Sequence, residues 1–458
     1  MKSGNSAIVL AASLALMLLV CGCNAPMGSP GSIDAPAPAA PPAPAINISP
    51  ATLGLRQGAS ATFTASVPVT WSIREGAAGG TISDAGLYTA PGADGTYHVI
   101  ATDKTNPANH GTAIISVSAH LFSMSGSLAV NRYYHTATLL QSGQVFIAGG
   151  VTAFSGPNTA IIGQAEQFDP AAATFHAAGT VARYCHSATL LANGDVLIAG
   201  GTETFASNGP VPLASAWIIK AGSGTIQPTG SMSVPRCGHQ ATLLQDGRVL
   251  ITGGWGRGED TQTTEAYDPV AGTFAPLGKL HELFVSVVTL LSDGRVLIIG
   301  GTAGPIGSAE IFDPETNAFT VTTLSLSRFY FTATLLSNGK ILIVGGEVGS
   351  YDDQPYSGPA QIYDPVTGTL TPTGSMIQAR WGHDAILLHD GTVLITGGLY
   401  DANYTPLASA EIYDPTTGEF KPGPAMNLAR VGHTTTLLPD GSVLIVGGSG
   451  DGAAEIYK

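Results

Sequence analysis

Charge is scarce in this chain of 458 residues: Asp, Glu, Lys and Arg together make up 11% of it. Lys and Arg number 18 against 32 Asp and Glu, for a formal net charge of −14. No run of basic residues interrupts the sequence. A nucleic-acid surface needs a Lys/Arg-rich face, so nucleic acid is excluded as a partner. Cysteine is scarcer still, with four residues: Cys21, Cys23, Cys185 and Cys237. That count excludes a disulfide-built scaffold and a zinc site of the Cys-x-x-Cys kind. The N-terminal apolar run, Ala7 to Val20, is too short to span a bilayer. Glycine (59) and proline (30), by contrast, are plentiful, which suits an all-β fold of short strands and many turns. The length allows two or three domains.

The apolar run follows Lys2 and fits the central region of an export signal. Its end, Val20-Cys21-Gly22-Cys23, resembles the bacterial lipobox, in which a small residue precedes a cysteine that is lipidated and becomes the new N-terminus. The resemblance implies a signal peptide over residues 1–23 and a lipid on Cys23. It also implies an exported protein held to the cell envelope by that anchor alone, at an outer membrane or the cell surface. Asn24 does not match the Asp associated with inner-membrane retention. Residues 24–45 are mostly Pro and Ala and form an extended spacer, because proline fixes φ and removes donors.

Over residues 46–119 short alternating runs appear, such as Ala61-Thr62-Phe63-Thr64-Ala65 and Ala113-Ile114-Ile115-Ser116-Val117. Their even spacing predicts a small antiparallel sandwich. Ile46-Asn47-Ile48-Ser49-Pro50, Trp71-Ser72-Ile73 and Gly86-Leu87-Tyr88-Thr89-Ala90-Pro91 resemble bacterial immunoglobulin-like modules of surface proteins. Trp71 is assigned to its core, and the module is read as a spacer.

From Leu121 the sequence repeats itself seven times. Gly-Gly pairs end at Gly150, Gly201, Gly254, Gly301, Gly346, Gly398 and Gly448, at spacings of kelch size. Eighteen residues before each second glycine stands Arg132, Arg183, Arg236, Leu283, Arg328, Arg380 or Arg430. Asn-Gly and Asp-Gly dipeptides such as Asn193-Gly194 and Asp440-Gly441 turn the first hairpin. A third strand such as Ala410-Glu411-Ile412-Tyr413 ends at Asp-Pro, and a fourth lies around Phe420 and its equivalents. Four antiparallel strands per unit make a propeller blade. The seventh unit stops after its third strand, at Glu455-Ile456-Tyr457-Lys458, and Leu121-Phe122-Ser123-Met124 is expected to supply the missing fourth. The Gly-Gly pairs, the Glu-x-Tyr-Asp strands and the Arg-x-x-His positions resemble the kelch family. The resemblance implies an all-β protein, with a seven-bladed kelch-type β-propeller over residues 120–458.

Loops after the Gly-Gly pairs vary in length, and binding residues concentrate on variable loops over a rigid scaffold. The site is therefore expected on that face. Its candidate ligand-binding residues are Arg132, Tyr133, Tyr134, Arg183, Arg236, Trp255, Arg328, Tyr330, Tyr351, Tyr356, Arg380, Trp381, Tyr400, Tyr404 and Arg430. Aromatic rings offer stacking faces for sugars or peptide side chains, and arginine forks suit oxygens. A recurring arginine equally suits a structural role within each blade. His135, His186, His239, His383 and His433 are read as packing residues, since blade-related positions diverge from any single metal centre. Cys185 and Cys237 are either a disulfide pair or two small buried residues. Glu347, Tyr351, Asp352 and Asp353 form an acidic cluster without EF-hand spacing.

The function expected is that of a monomeric surface binding protein taking a glycan or a protein, with no catalytic residues, cofactor or metal. The alternatives are enzymes. Galactose oxidase is similar in carrying kelch motifs, and that resemblance implies copper held by two tyrosines and two histidines, with a cysteine cross-linked to one tyrosine. Tyr133-Tyr134-His135 and Tyr184-Cys185-His186 echo parts of that set, but they occupy a general repeat position. The C-terminal sandwich that supplies a ligand in that family is not expected here. Some bacterial kelch propellers are sugar isomerases, but no acid–base pair stands out in this sequence.

Overall fold

The structure, a computed structural model, describes residues 46–458 apart from 155–158, 208, 257–261, 282–284, 301–306, 325–327, 349–355, 358 and 402. The export signal, Cys23, the spacer 24–45, Leu283, Tyr351, Asp352 and Asp353 lie outside the described residues. The described chain is built from strands, with one short 3-10 turn at Gly76–Gly79.

Residues 46–118 form two main sheets over one core, with a third, two-stranded pairing of Ile48–Ser49 and Thr64–Ala65. Thr52–Arg56, His110–Ser118, Gly95–Asp103 and Val69–Ile73 make the larger sheet, and Ser60–Thr62, Leu87–Thr89 and Thr81–Ile82 the smaller. Phe63, Tyr88, Val99, Ala113 and Ile115 are almost fully buried between them, and Trp71 packs half-buried against the cluster. One expectation is corrected. Thr52–Arg56 pairs with His110–Ser118 in parallel, not antiparallel. The intervening chain crosses to the smaller sheet and returns, so the first and last long strands run in the same direction.

From Phe122 to Tyr457 the chain folds into seven four-stranded sheets. Six are antiparallel meanders of consecutive repeat strands, for example Gln240–Leu243, Val249–Thr252, Thr263–Asp268 and Thr273–Lys279. The second strands, such as Val145–Ala148, Val196–Ala199 and Val443–Val446, are buried along their whole length. Each sheet is covered on both faces, so these strands read as continuous apolar runs rather than alternating ones. Burying each such Val, Leu or Ile stabilises by about 1.5–3 kcal/mol. The Asp-Gly turns close by local bonding: the Gly247 N–H donates to the Leu244 carbonyl, and Asp246 accepts from the Arg248 N–H. At the Asp-Pro turns the aspartate accepts from the amides that follow, as Asp414 does from Thr416. Tyr413 and Phe420 then stack across the last two strands at 4.8 Å, as do Tyr267 and Phe274.

The seventh sheet combines both ends of the region. Phe122–Ser127 pairs antiparallel with Ala453–Tyr457, outside Val443–Val446 and Thr434–Leu437. The first strands of successive sheets are neighbours in cyclic order: Thr136–Leu139 lies between Ser187–Leu190 and Thr434–Leu437.

Candidate functional site

The six repeat arginines are buried, none more than 3% exposed. Each occupies the same niche. Arg380 Nη1 donates to the Gly397 and Ser409 carbonyls, while Nη2 lies 2.9 Å from Glu411. Glu411 in turn accepts the Ile377 and Gln378 amides, so the pair fixes the link entering the sheet. Arg132 with Glu166, Arg236 with Glu265 and Arg430 with Glu455 repeat the arrangement. Where the glutamate is missing the niche adapts: Arg328 donates to Gln361, and Arg183 sits 4.2 Å over the Trp217 ring. These arginines were expected among the ligand contacts, and that expectation is corrected. A buried guanidinium needs partners, and the sheet engages the terminal Nη groups from within, where no ligand reaches.

The histidines join one sheet to the next. His186 Nε2 lies 2.9 Å from the Thr136 hydroxyl, His239 from Ser187, and His135 from Thr434, which links first sheet to last. Their rings press on the first glycine of the preceding Gly-Gly pair. A Cβ on Gly397 would lie 2.7 Å from the His433 ring and 2.6 Å from the Arg430 carbonyl. The second glycine donates its N–H to that same arginine's carbonyl one sheet on, as Gly398 does to Arg430 and Gly448 to Arg132. The fixed interval between arginine and Gly-Gly records a contact within each sheet instead, from Nη1 to the carbonyl of the first glycine, as Arg132 makes to Gly149 and Arg430 to Gly447. Burial, and then the neighbouring arginine charge, lower His186, His239, His383 and His433 to about 3 and hold His135 well below its ordinary range.

Two residues after each arginine the backbone turns left-handed. Gly238, Gly382 and Gly432 occupy that position at φ near 60–69°, as do Tyr134 (54°), Cys185 (53°) and Tyr330 (56°). A side chain there costs of order 1–3 kcal/mol. Among the described residues Tyr404 is likewise strained, at φ 59°. These side chains meet on the face carrying the variable loops. Tyr330 packs on Trp381 (5.4 Å between centroids), Trp381 on Tyr404 (5.8 Å) and Tyr404 on Phe154 (6.3 Å). Phe154 continues to Tyr134 (5.7 Å), Tyr134 to Tyr184 (6.3 Å), and Tyr184 to Phe205 (5.7 Å). The path crosses the seventh repeat because Gly432 leaves room: its Cβ would meet the Tyr134 ring at 3.1 Å. Tyr330 and Tyr404 are more than half exposed, Tyr134 and Phe205 somewhat less. Burial raises the Tyr134 and Tyr184 hydroxyls above their ordinary range. The Trp381 indole N–H is buried and finds no acceptor among the described residues.

Tyr133 joins this rim edge-on to Phe154. Trp255 bridges Cys237 and lies beside Gly238, apart from the ring path. Tyr400 is exposed without a described ring contact, and Tyr356 lies on the strand Tyr356–Ser357, paired with Glu347–Val348. Phe154 and Phe205 were missed by sequence reasoning, although each stands four residues after its Gly-Gly pair, in adjacent repeats. Cys185 and Cys237 form a disulfide between the second and third sheets, directly behind Tyr184. On the opposite face, shallow grooves between neighbouring turns are lined by Asp246, Asp293 and Arg295, and by His389, Asp390 and Asp414. Neither lining includes Phe, Tyr or Trp.

The Kelch motif family matches residues 285–322 and 385–427. Two of the repeats thus carry Kelch motifs, and the all-β fold is that of a β-propeller. Among solved structures, a novel fungal alcohol oxidase of the AA5 family, in complex with copper, is similar with a TM-score of 0.57 at 18% identity, covering 74% of this chain and 76% of that one. At that identity the likeness is one of fold. No curated protein matches the chain.

The propeller's own residues do not fit the copper set of a galactose-oxidase-like centre. Among the described residues no three His, Cys, Asp or Glu side chains gather. The five repeat histidines are buried, each with Nε2 bonded to a neighbouring hydroxyl. Both cysteines outside the N-terminal segment are bonded to each other, so neither is free to cross-link a tyrosine.

Proposed function

We propose that this protein is a cell-envelope binding protein that engages a glycan or a protein ligand with the aromatic rim of a seven-bladed kelch propeller. The observation that carries the reading is the strain at Tyr134 and Tyr330. Glycine fits that position and occupies it in three other repeats, so the tyrosines persist at a cost that folding does not require. Backbone strain of this kind gathers at binding sites, and exposed contiguous aromatics mark interaction surfaces. Cyclic contacts between first strands, and the pairing of Phe122–Ser127 with Ala453–Tyr457, support seven blades. The sandwich of residues 46–119 is proposed as an immunoglobulin-like spacer and Cys23 as the lipid anchor; a mature N-terminus lacking lipid by mass spectrometry would overturn the latter.

The test is the double variant Tyr134→Gly/Tyr330→Gly. It relieves the left-handed strain and so folds at least as stably, yet it loses binding in a screen of glycans and peptides on the full-length protein. Unchanged binding by a well-folded double variant rejects the rim as the site.

A further inference from the structure

We infer that the rim's ligand is a neutral saccharide chain lying across several blades, read by stacking rather than by charge. This rests on the rim being the binding surface and names the class of its ligand.

Three observations lead there. First, the rim is long. Six successive ring contacts of 5.4–6.3 Å run from Tyr330 to Phe205, over the fifth, sixth, first and second repeats. A monosaccharide covers one or two such rings, whereas an extended chain covers the whole path. Second, the charged groups near the rim are already engaged. The repeat arginines are buried in their niches, and Glu203 pairs with Arg183. Asp401 accepts from Asn403 and Thr405, and Asp451 from Ser449 and Ala453. Among the described residues the remaining rim carboxylate, Glu347, is raised above its ordinary range by burial. Among the described residues a polyanion would meet no free cation at the rim, and it would face a net charge of −14; a basic peptide would meet no free carboxylate pair among them. Third, the rim path itself carries an unpartnered donor. The buried Trp381 indole N–H has no acceptor among the described residues, and a hydroxyl or ring oxygen of a sugar stacked between Tyr330 and Tyr404 would satisfy it. Rings for the apolar C–H faces, with isolated donors for the oxygens, make a surface complementary to uncharged pyranose units.

The experiment measures binding of the full-length protein, purified in detergent, to neutral oligosaccharides (β-glucan, xylan and mannan series, disaccharide to hexasaccharide) by calorimetry. Alginate, heparin and a random peptide array run in parallel. Affinity for at least one neutral series is expected to rise about tenfold or more from disaccharide to hexasaccharide. Tyr330→Gly, far from any core, should lower hexasaccharide affinity about tenfold and leave the disaccharide less affected. Trp381→Phe keeps a ring but removes the donor, and should weaken binding without changing the melting temperature. Binding confined to polyanions or peptides, no binding to any neutral series, or affinity flat with chain length overturns the inference. If such binding is still lost in Tyr330→Gly, the rim stands as the site and only the ligand class falls. Saccharide binding unchanged by both variants overturns the rim as well.

Discussion

Arg380 shows how one residue type can look functional and be structural. Its guanidinium is as well placed for a ligand in sequence as any binding arginine, but the fold surrounds it with two carbonyls and a carboxylate. Removing one partner of a buried ion pair leaves the other charged and unsatisfied, at a cost of about 3–5 kcal/mol. Arg380→Leu strands Glu411 in this way and should destabilise by that order. Arg183→Leu leaves no buried carboxylate behind, because Trp217 stands at the glutamate position and Glu203 is nearly half exposed. Urea denaturation should therefore show the smaller loss for Arg183→Leu. Equal losses would mean that the buried pair contributes nothing beyond packing.

At the scale of strands, the joints between sheets make the fold sensitive to acid. Each repeat histidine is neutral when folded, with a value of about 3 for four of them, against an ordinary 6.5. The unfolded chain therefore binds protons that the folded chain refuses. Stability is complete above about pH 6.5 and falls as pH drops toward 3, by about 1.4 kcal/mol per pH unit for each histidine. Chemical denaturation between about pH 7.5 and pH 5 should show a steep loss, made shallower by about one proton in His186→Gln. A flat profile over that range would show that the histidines titrate freely in the native state.

For the molecule as a whole, the seam between Phe122–Ser127 and Ala453–Tyr457 decides whether the ring holds. Phe122 packs on Tyr457 at 5.1 Å, and the Leu121 and Lys458 backbones bond to each other in both directions. Deleting residues 120–128 exposes the edge of Ala453–Tyr457 and strips the cover from the Met426 and Tyr457 cluster. Calorimetry should show a marked fall in melting temperature, and light scattering should show association through the bared edge. An unchanged melting temperature would place the seam outside the cooperative unit.

Much of this was written along the chain. Short apolar Val-Leu-Ile strands, Asp-Gly turns and the fixed distance from arginine to Gly-Gly are local signals, and local backbone preference together with apolar burial is enough to specify repeated four-stranded sheets. The candidate face could also be named, because variable loops and short turns fall on opposite ends of every strand. The direction of a side chain is another matter. Whether Arg380 turns inward to Glu411 or outward, whether Cys185 meets Cys237, and whether Phe154 reaches Tyr404 across the seventh repeat all depend on pairs brought together from distant segments. Those contacts exist only once the sheets pack, since burial and hydrogen-bond demand act on neighbours in space and leave no mark on neighbours in sequence.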